Sequence, residues 1–239
     1  MSFLRAEWRK LAIANYRIDK DCLTEFLPAG TVLDLWNGHC YVSLVGFMFK
    51  NTKLLGIKIP YHVDFEEVNL RFYVKRLEDG EWKRGVVFIK EIVPKRALTF
   101  VANTVYKENY ETMPMRHLWM EHQDSRIVEY YWTKSGRENK FKVTASKESY
   151  AIVPGSETEF ITEHYWGYAK LNDEKSNEYE VTHPRWEVYK VKEYEINVDF
   201  GMVYGNKFDF LSSLKPDSVM LAEGSEITVE NKTTIKITT

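Results

Sequence analysis

Cysteine is scarce in this sequence. Its 239 residues hold only Cys22 and Cys40, whose spacing matches no zinc pattern and makes no disulfide framework. Both read as free, buried thiols in a reducing compartment. No apolar run approaches the roughly 20 residues a membrane-spanning helix needs. The N-terminal MSFLRAEWRKLAIANYRIDK places basic residues on both sides of a short apolar segment, LAIANY, which is too short for a secretory signal and lacks its cleavage site. The expectation is a soluble, cytoplasmic protein. Neither charge sign is in excess: 33 Lys and Arg stand against 35 Asp and Glu, for a formal net charge of −2. The two signs are interleaved, which excludes a charged tail and a basic field that would recruit nucleic acid. Internal repeats, low-complexity tracts and linkers are absent, so residues 1–239 read as a single domain.

Generic catalytic signatures are missing too. There is no G-x-G-x-x-G after a strand, no P-loop, no H-E-x-x-H and no G-x-S-x-G. Of the six histidines, only His117 and His122 are close, and five residues apart on a strand they fall on opposite faces. No metal site is expected, and no residue pattern calls for a cofactor.

Aromatic residues, by contrast, are abundant: 15 Tyr, 13 Phe and 7 Trp, side chains that suit strands and cavity walls. Residues 3–12 carry Phe3, Leu4, Trp8, Leu11 and Ala12 at helical spacing, which predicts a first amphipathic helix. A second short helix is expected in KDCLTEFLP, capped by Asp19 or Asp21 and stopped at Pro28-Ala29-Gly30. TVLDLWNGHCYVSLVGFMF reads as a hairpin turning at Asn37-Gly38, with its second strand buried on both faces. Residues 51–64 read as a connecting loop. WKRGVVFIKEIV is a strand, and Pro94 precedes a helix that is expected to run to Pro114. Strands follow in MRHLWMEH, SRIVEYYWTK and KFKVTASKES. Ser156 with Glu159 predicts a capped helix start, and HYWGYAKL the strand after it. NDEKSNEYEVTH reads as a polar hairpin tip, RWEVYKVKEYEINVDF as a strand and SEITVENKTTIKITT as a last one. The sum is one α+β domain of nine to twelve mostly antiparallel strands with a few helices.

FEEVNLRFYVKR, residues 65–76, alternates almost without fault. Glu67, Asn69, Arg71, Tyr73 and Lys75 fall on one side of an extended chain, and Val68, Leu70, Phe72 and Val74 on the other. Pattern alone favours a polar side in water, where Glu and Arg suit cross-strand pairing. The other reading turns that side inward, so that acid, amide, guanidinium and phenol converge on a ligand. Two further stretches carry chemistry. In PGSETEFITEHYWGY, Glu163, His164 and Tyr165 either sit on a surface turn and strand or reach a cavity. In VTHPRWEVY, Pro184 holds His183 extended, and His183 and Trp186 read as structural.

Taken in order, Trp8, Leu27-Pro28, FEEVNLRFYV, GVVF at 85–88, ALTFVANTVYK, PGSETEFITEHYWGYA and HPRW at 183–186 span nearly the whole chain. Their combination resembles the bacterial YqjF-like family DUF2071, of the acetoacetate decarboxylase-like superfamily. The resemblance implies a mostly antiparallel curved sheet closing into a cone or distorted barrel around a small-molecule cavity. It also implies that Glu67, Asn69 and Arg71 point into that cavity. Decarboxylases of the superfamily use a lysine of depressed pKa that condenses with a β-keto acid; it lies in a Phe-Pro-Lys-Lys segment just past a helix like 97–106. Laid on that segment, this chain has Lys107-Glu108-Asn109-Tyr110-Glu111, with Tyr110 in the lysine's place and neither proline nor lysine pair kept. Glu67 matches the position of their cavity glutamate.

Three functions follow. The first is a protein that holds a small organic acid-like molecule on Glu67, Asn69, Arg71 and Tyr110 without Schiff-base chemistry, Arg71 serving as a bidentate carboxylate clamp. The second is a lyase acting on a keto acid through a relocated lysine, Lys107 or Lys90, with Lys95 a further position. The third is a structural or interaction protein whose aromatics fill the cavity. Whether a reaction is catalysed stays open, as does the oligomeric state.

Overall fold

The structure, a computed structural model, describes residues 2–237. In chain order the strands and helices are β1 (Leu4–Ile18), β2 (Val32–Leu33), β3 (Cys40–Leu54), β4 (Phe65–Glu78), β5 (Glu81–Val93), α1 (Arg96–Val101), β6 (Tyr110–Thr112), β7 (Met115–Glu121) and β8 (Ser125–Lys134). Then come β9 (Arg137–Ala151), α2 (Glu157–Thr162), β10 (Trp166–Lys170), β11 (Lys175–Thr182), β12 (Glu187–Asn197), α3 (Phe200–Tyr204), β13 (Ser218–Val229) and β14 (Thr233–Lys236).

All these strands belong to one strongly curved sheet. Seven of them, in the order β11-β10-β5-β4-β3-β1-β13, form a ring, because β13 also pairs with β11 through Val181 and Val229 and through Thr182 and Thr228. From β13 the sheet continues as β12-β9-β8-β7 and folds back over the outside of the ring. There the Tyr130 ring of β8 lies on Gly46 of β3, so closely that a Cβ at Gly46 would fall 2.7 Å from it. Pairing is antiparallel except where β5 meets β10 and β6.

This arrangement makes two cores. Outside the ring, Leu44, Leu70 and Phe72 pack with Trp132 and Phe141 of the overlying strands and with Phe200 of α3. Inside it, Val45, Phe47, Phe49 and Tyr73 pack with Phe160 of α2 and with Trp186. From Glu67 to Val74, β4 therefore has no wet face. Val68, Leu70, Phe72 and Val74 go to the outer core, while Glu67, Asn69, Arg71 and Tyr73 turn inward and are all at least nine-tenths buried. That corrects the solvent-facing reading, which alternation favours because a polar strand face looks the same whether it meets water or a polar cavity.

Residues 4–18 are a strand, not the expected helix. The helical spacing of Trp8, Leu11 and Ala12 comes from bulges: register slips between Arg5 and Glu7 and again between Arg9 and Ala12, with Lys10 at φ 56°. A bulge shifts the two-residue phase by one and so mimics a longer period. Gly224 accommodates it opposite, since a Cβ there would lie 2.0 Å from the Trp8 carbonyl oxygen.

Smaller differences follow the same local logic. Residues 20–26 form two 3₁₀ turns rather than an α-helix, the first capped by the Asp19 carboxylate. Asn37 and Gly38 turn the chain at φ 49° and 81°, yet the strand before them, β2, pairs with β4 instead of β3. The helix expected to reach Pro114 widens to a π-helical turn over Ala102–Tyr106 and stops at Lys107, in the left-handed region at φ 62°. Ser156 does cap α2, its hydroxyl accepting from the Glu159 backbone N–H. α3 and the 3₁₀ run Asn206–Ser213 had no counterpart in the sequence reading. Among the described residues, no helix is long and apolar enough to cross a membrane.

Candidate functional site

The ring encloses a cavity of about 200 Å³ lined from β1, β3, β4, β5, β6, β10, β11 and α1. Strand register gathers its polar end. Glu67, Asn69 and Arg71 project from β4 at every second residue. Asn69 pairs with Glu91 of β5, and Glu91 pairs in parallel with Tyr110 of β6. A bulge decides which side chain of β5 takes part. Leu70 pairs with Lys90 and Arg71 with Phe88, so one residue of β5 is left over. The alternation therefore slips, sending both Ile89 and Lys90 to the outside and turning Glu91 in.

Side-chain amides hold the irregular segment after α1. Asn103 donates to the Tyr110 carbonyl at 2.9 Å and accepts from its N–H at 2.7 Å. Asn109 donates to the Ile89 carbonyl, and Asn177 of β11 to the Tyr106 carbonyl. These bonds fix Glu108 and Tyr110 where they line the cavity.

Within the cavity, the Asn69 amide donates to Glu67 Oε1 at 2.9 Å and the Tyr110 hydroxyl to Glu67 Oε2 at 3.2 Å. The Tyr179 hydroxyl donates to Glu108 Oε1 at 2.8 Å. Glu91 Oε2, Asn69 Oδ1 and Arg71 Nε are buried without a partner. Burial dominates the electrostatics. It pushes the Glu67 carboxyl up to about 7 against the pull of the Asn69 and Tyr110 hydrogen bonds and of the Arg71 charge. Burial lifts Glu108 to about 8, helped by Glu67 and opposed by Tyr179. Glu91 is raised well above the carboxylate range by burial and by the charges of Glu108 and Glu67. Among the described residues, Arg71 is the only guanidinium or ammonium group in the lining, and no carboxylate forms an ion pair with it; Tyr73 lies beneath it, 5.7 Å from guanidinium carbon to ring centre.

The four residues Glu67, Asn69, Arg71 and Tyr110 thus share one cavity. Lys90 and Lys107 do not join them. Lys90 Nζ donates to Glu111 and to the Val203 carbonyl, both at 2.7 Å, on the outer side of the ring. Burial lowers its pKa, although Glu111 opposes this. Lys107 is exposed. Of the 163–165 trio only His164 lines the cavity. Its Nε2 faces Asp34 Oδ2 at 3.2 Å, and Arg84 Nε donates to the same oxygen at 2.6 Å. Glu163 instead borders a shallow surface depression with Asp34, Arg84 and Arg185. His183 also lines the cavity, stacked on Trp186 with ring centres 4.3 Å apart. Sequence reasoning missed Glu91, Glu108 and Tyr179. The alternation Glu108, Tyr110 in KENYET was a signal for one of them, whereas Glu91 depends on a bulge that leaves no mark.

Residues 5–226 match the family model DUF2071, described as an uncharacterized conserved protein. A curated relative, the uncharacterized protein YqjF of Bacillus subtilis, is 28% identical over 108 residues, 45% of this chain and 43% of that protein. The match therefore spans less than half the length of the relative. Solved structures show the same fold at low identity. The acetoacetate decarboxylase of Legionella pneumophila superposes with a TM-score of 0.67 and 12% identity, over 97% of this chain and 86% of its own. The enduracididine biosynthesis enzyme MppR, complexed with the condensation product of pyruvate and imidazole 4-carboxaldehyde, does so with 0.68 and 12%, over 99% and 90%.

Proposed function

The chain belongs to the DUF2071 family of uncharacterized conserved proteins, and from that premise and the cavity we propose that it binds a small organic acid without forming a Schiff base. The observation that carries this reading is Arg71, a guanidinium 7% exposed, lining the cavity with no carboxylate paired to it. A buried unpaired charge is costly, and a ligand carboxylate placed bidentately on the fork relieves that cost. Protonated Glu67 and Glu108 donate hydrogen bonds to the ligand instead of repelling it. Asn69 and Tyr110 hold Glu67 in place and complete the polar end. At about 200 Å³ the space is small beside the roughly 300–1,000 Å³ of drug-sized sites, which favours a compact ligand. MppR, of the same fold, binds a pyruvate condensation product, which adds weight to a small acid.

The lyase reading draws support from the lowered pKa of Lys90, since a free amine is what imine formation needs. Against it, no lysine lines the cavity among the described residues, and Lys90 is held outside by two hydrogen bonds. Borohydride reduction with acetoacetate and a panel of keto acids, read by intact mass beside a control decarboxylase, separates the two. The binding reading expects thermal stabilisation by some acids and an unmodified mass. An adduct mapped to Lys90 or Lys107 overturns it. Neither stabilisation nor adduct across the panel leaves a structural role for the domain.

A further inference from the structure

The cavity is chemically lopsided. Its carboxyl, amide and guanidinium side chains cluster on β4, β5 and the Glu108–Tyr110 segment, with Thr52, His62, Thr162, His164 and His183 dispersed elsewhere. Most of the remaining wall is hydrocarbon and aromatic ring, including Phe47, Phe49, Phe65, Phe88, Leu98 and Val101. Among the described lining residues only two are exposed, Ile59 in the loop after β3 and Ala97 in the first turn of α1. These mark the mouth. The same two segments carry an apolar rim, with Ile57 68%, Tyr61 89% and Phe100 71% exposed. They also carry a charge bias. Residues 55–63 and 95–106 contain Lys58, Lys95 and Arg96 and no Asp or Glu. An apolar wall leads from a buried guanidinium to an entrance that is both greasy and basic.

We propose that the occupant is an amphipathic monocarboxylic acid, its carboxylate on Arg71 and its hydrocarbon portion lying along the aromatic wall toward the mouth between Ile59 and Ala97. This rests on the acid-binding reading and narrows it. A short hydrophilic acid would satisfy Arg71 but leave the aromatic wall unused. A neutral hydrocarbon would use the wall but leave the guanidinium unpaired. The basic rim raises the local concentration of an anion at the entrance, and exposed apolar side chains beside a cavity mouth suit a ligand that brings its own apolar surface.

The test is calorimetric titration of the whole protein with straight-chain carboxylates of four, six, eight and ten carbons. Aryl-substituted propanoates and alcohols of matching length run beside them. Affinity is expected to rise about fourfold per methylene, equivalent to about 0.8 kcal/mol, until the chain clears the mouth. Matching alcohols are expected to bind at least tenfold more weakly than the acids, and Arg71→Met to abolish that gap. Ile57→Ser and Phe100→Ser, both at exposed positions, are expected to weaken only the longest acids. Whether alkyl or aryl acids bind tighter at equal carbon number identifies the shape of the hydrocarbon portion, and either order fits the proposal. Equal affinity across chain lengths overturns it while leaving acid binding intact. Failure of every acid, short and long, overturns both.

Discussion

Two buried acidic regions lie on the inner side of the same ring, and they are held in opposite ways. Asp34 accepts from Arg84 at 2.6 Å, faces His164 at 3.2 Å and has Lys75 at 3.4 Å. Burial alone would raise its pKa, yet the hydrogen bonds from His164 and Arg84 and the Arg84 charge bring it down to about 2. Among the described residues, Glu67 and Glu108 accept from neutral donors, the Asn69 amide and the Tyr110 and Tyr179 hydroxyls, and Arg71 is the cation that acts on Glu67. Their pKa values and that of Glu91 go up. The groups are alike in chemistry and differ in two ways: Asp34 borders a surface depression while the glutamates line the cavity, and Asp34 has more cations within reach. A carboxylate that neighbours neutralise is scaffold. Carboxyls raised toward protonation, around a guanidinium with no paired carboxylate, are what the proposed acid-binding reading rests on.

The largest effect that would sharpen this contrast comes from Asp34→Asn. It leaves buried His164, and the one-third-exposed Arg84 and Lys75, without their carboxylate, and unfolding in urea should show a loss of about 2–4 kcal/mol. The same variant should retain most ligand affinity per folded molecule; a selective loss of binding would erase the distinction between scaffold and site.

Next in size is Arg71→Met. Acid affinity should fall about 10- to 100-fold, the worth of a charge-assisted bond, while the melting temperature holds or rises because an unpaired buried charge is gone. A marked fall in melting temperature would make Arg71 structural instead.

Smaller again is Glu108→Gln. Raised pKa values mean that the folded state keeps protons that the unfolded state gives up. Their stabilising effect is therefore complete below about pH 4.5 and fades as pH rises through about 7 for Glu67 and 8 for Glu108. The variant should be more stable than the parent at pH 8.5 and alike at pH 4.5. Chemical denaturation at the two pH values checks it. Asp34 works the other way, contributing above its unfolded value of 3.8 and losing that as pH falls through about 2.

The smallest expected effect is at Lys107, exposed beyond the end of the π-helical turn. Lys107→Ala should stay within about 0.5 kcal/mol in stability and leave acid binding unchanged.

How much of this the sequence disclosed depends on where strands keep their phase. β4 is regular along its own length, so its two faces were legible as sets, and resemblance to the family, not alternation, told which set looks inward. β1 and β5 are bulged. In β1 the slip produced a false helical period. In β5 it exchanged the faces of Lys90 and Glu91, so that a lysine outside the cavity drew attention while the glutamate inside it passed unnoticed. Bulges arise from how two strands fit each other, and one strand read alone does not contain that information. Glu108 and Tyr179 meet across 71 residues of chain, a contact set by ring closure. The curved, mostly antiparallel sheet with few helices was expected, whereas the helical cover of residues 200–213 was not.

The ring is unevenly sewn. β1 and β3 pair along nearly their full lengths, but β10 touches β5 at only two residue pairs, Trp166 with Gly85 and Gly167 with Val86, and β11 touches β13 at only two more. The β10–β11 hairpin, with β14 on its flank, is therefore a panel hung between two short seams. Gly85 and Gly167 let the first seam draw close: a Cβ at Gly85 would fall 2.5 Å from the Trp166 carbonyl oxygen. Few ladder hydrogen bonds must break for such a panel to swing, so its seam amides should exchange with solvent well before those of β1 and β3. Tyr179 rides on this panel and is tied to Glu108 across the cavity. That phenol ties the panel to the segment after α1, so whatever competes for Glu108 also removes one of the panel's fastenings.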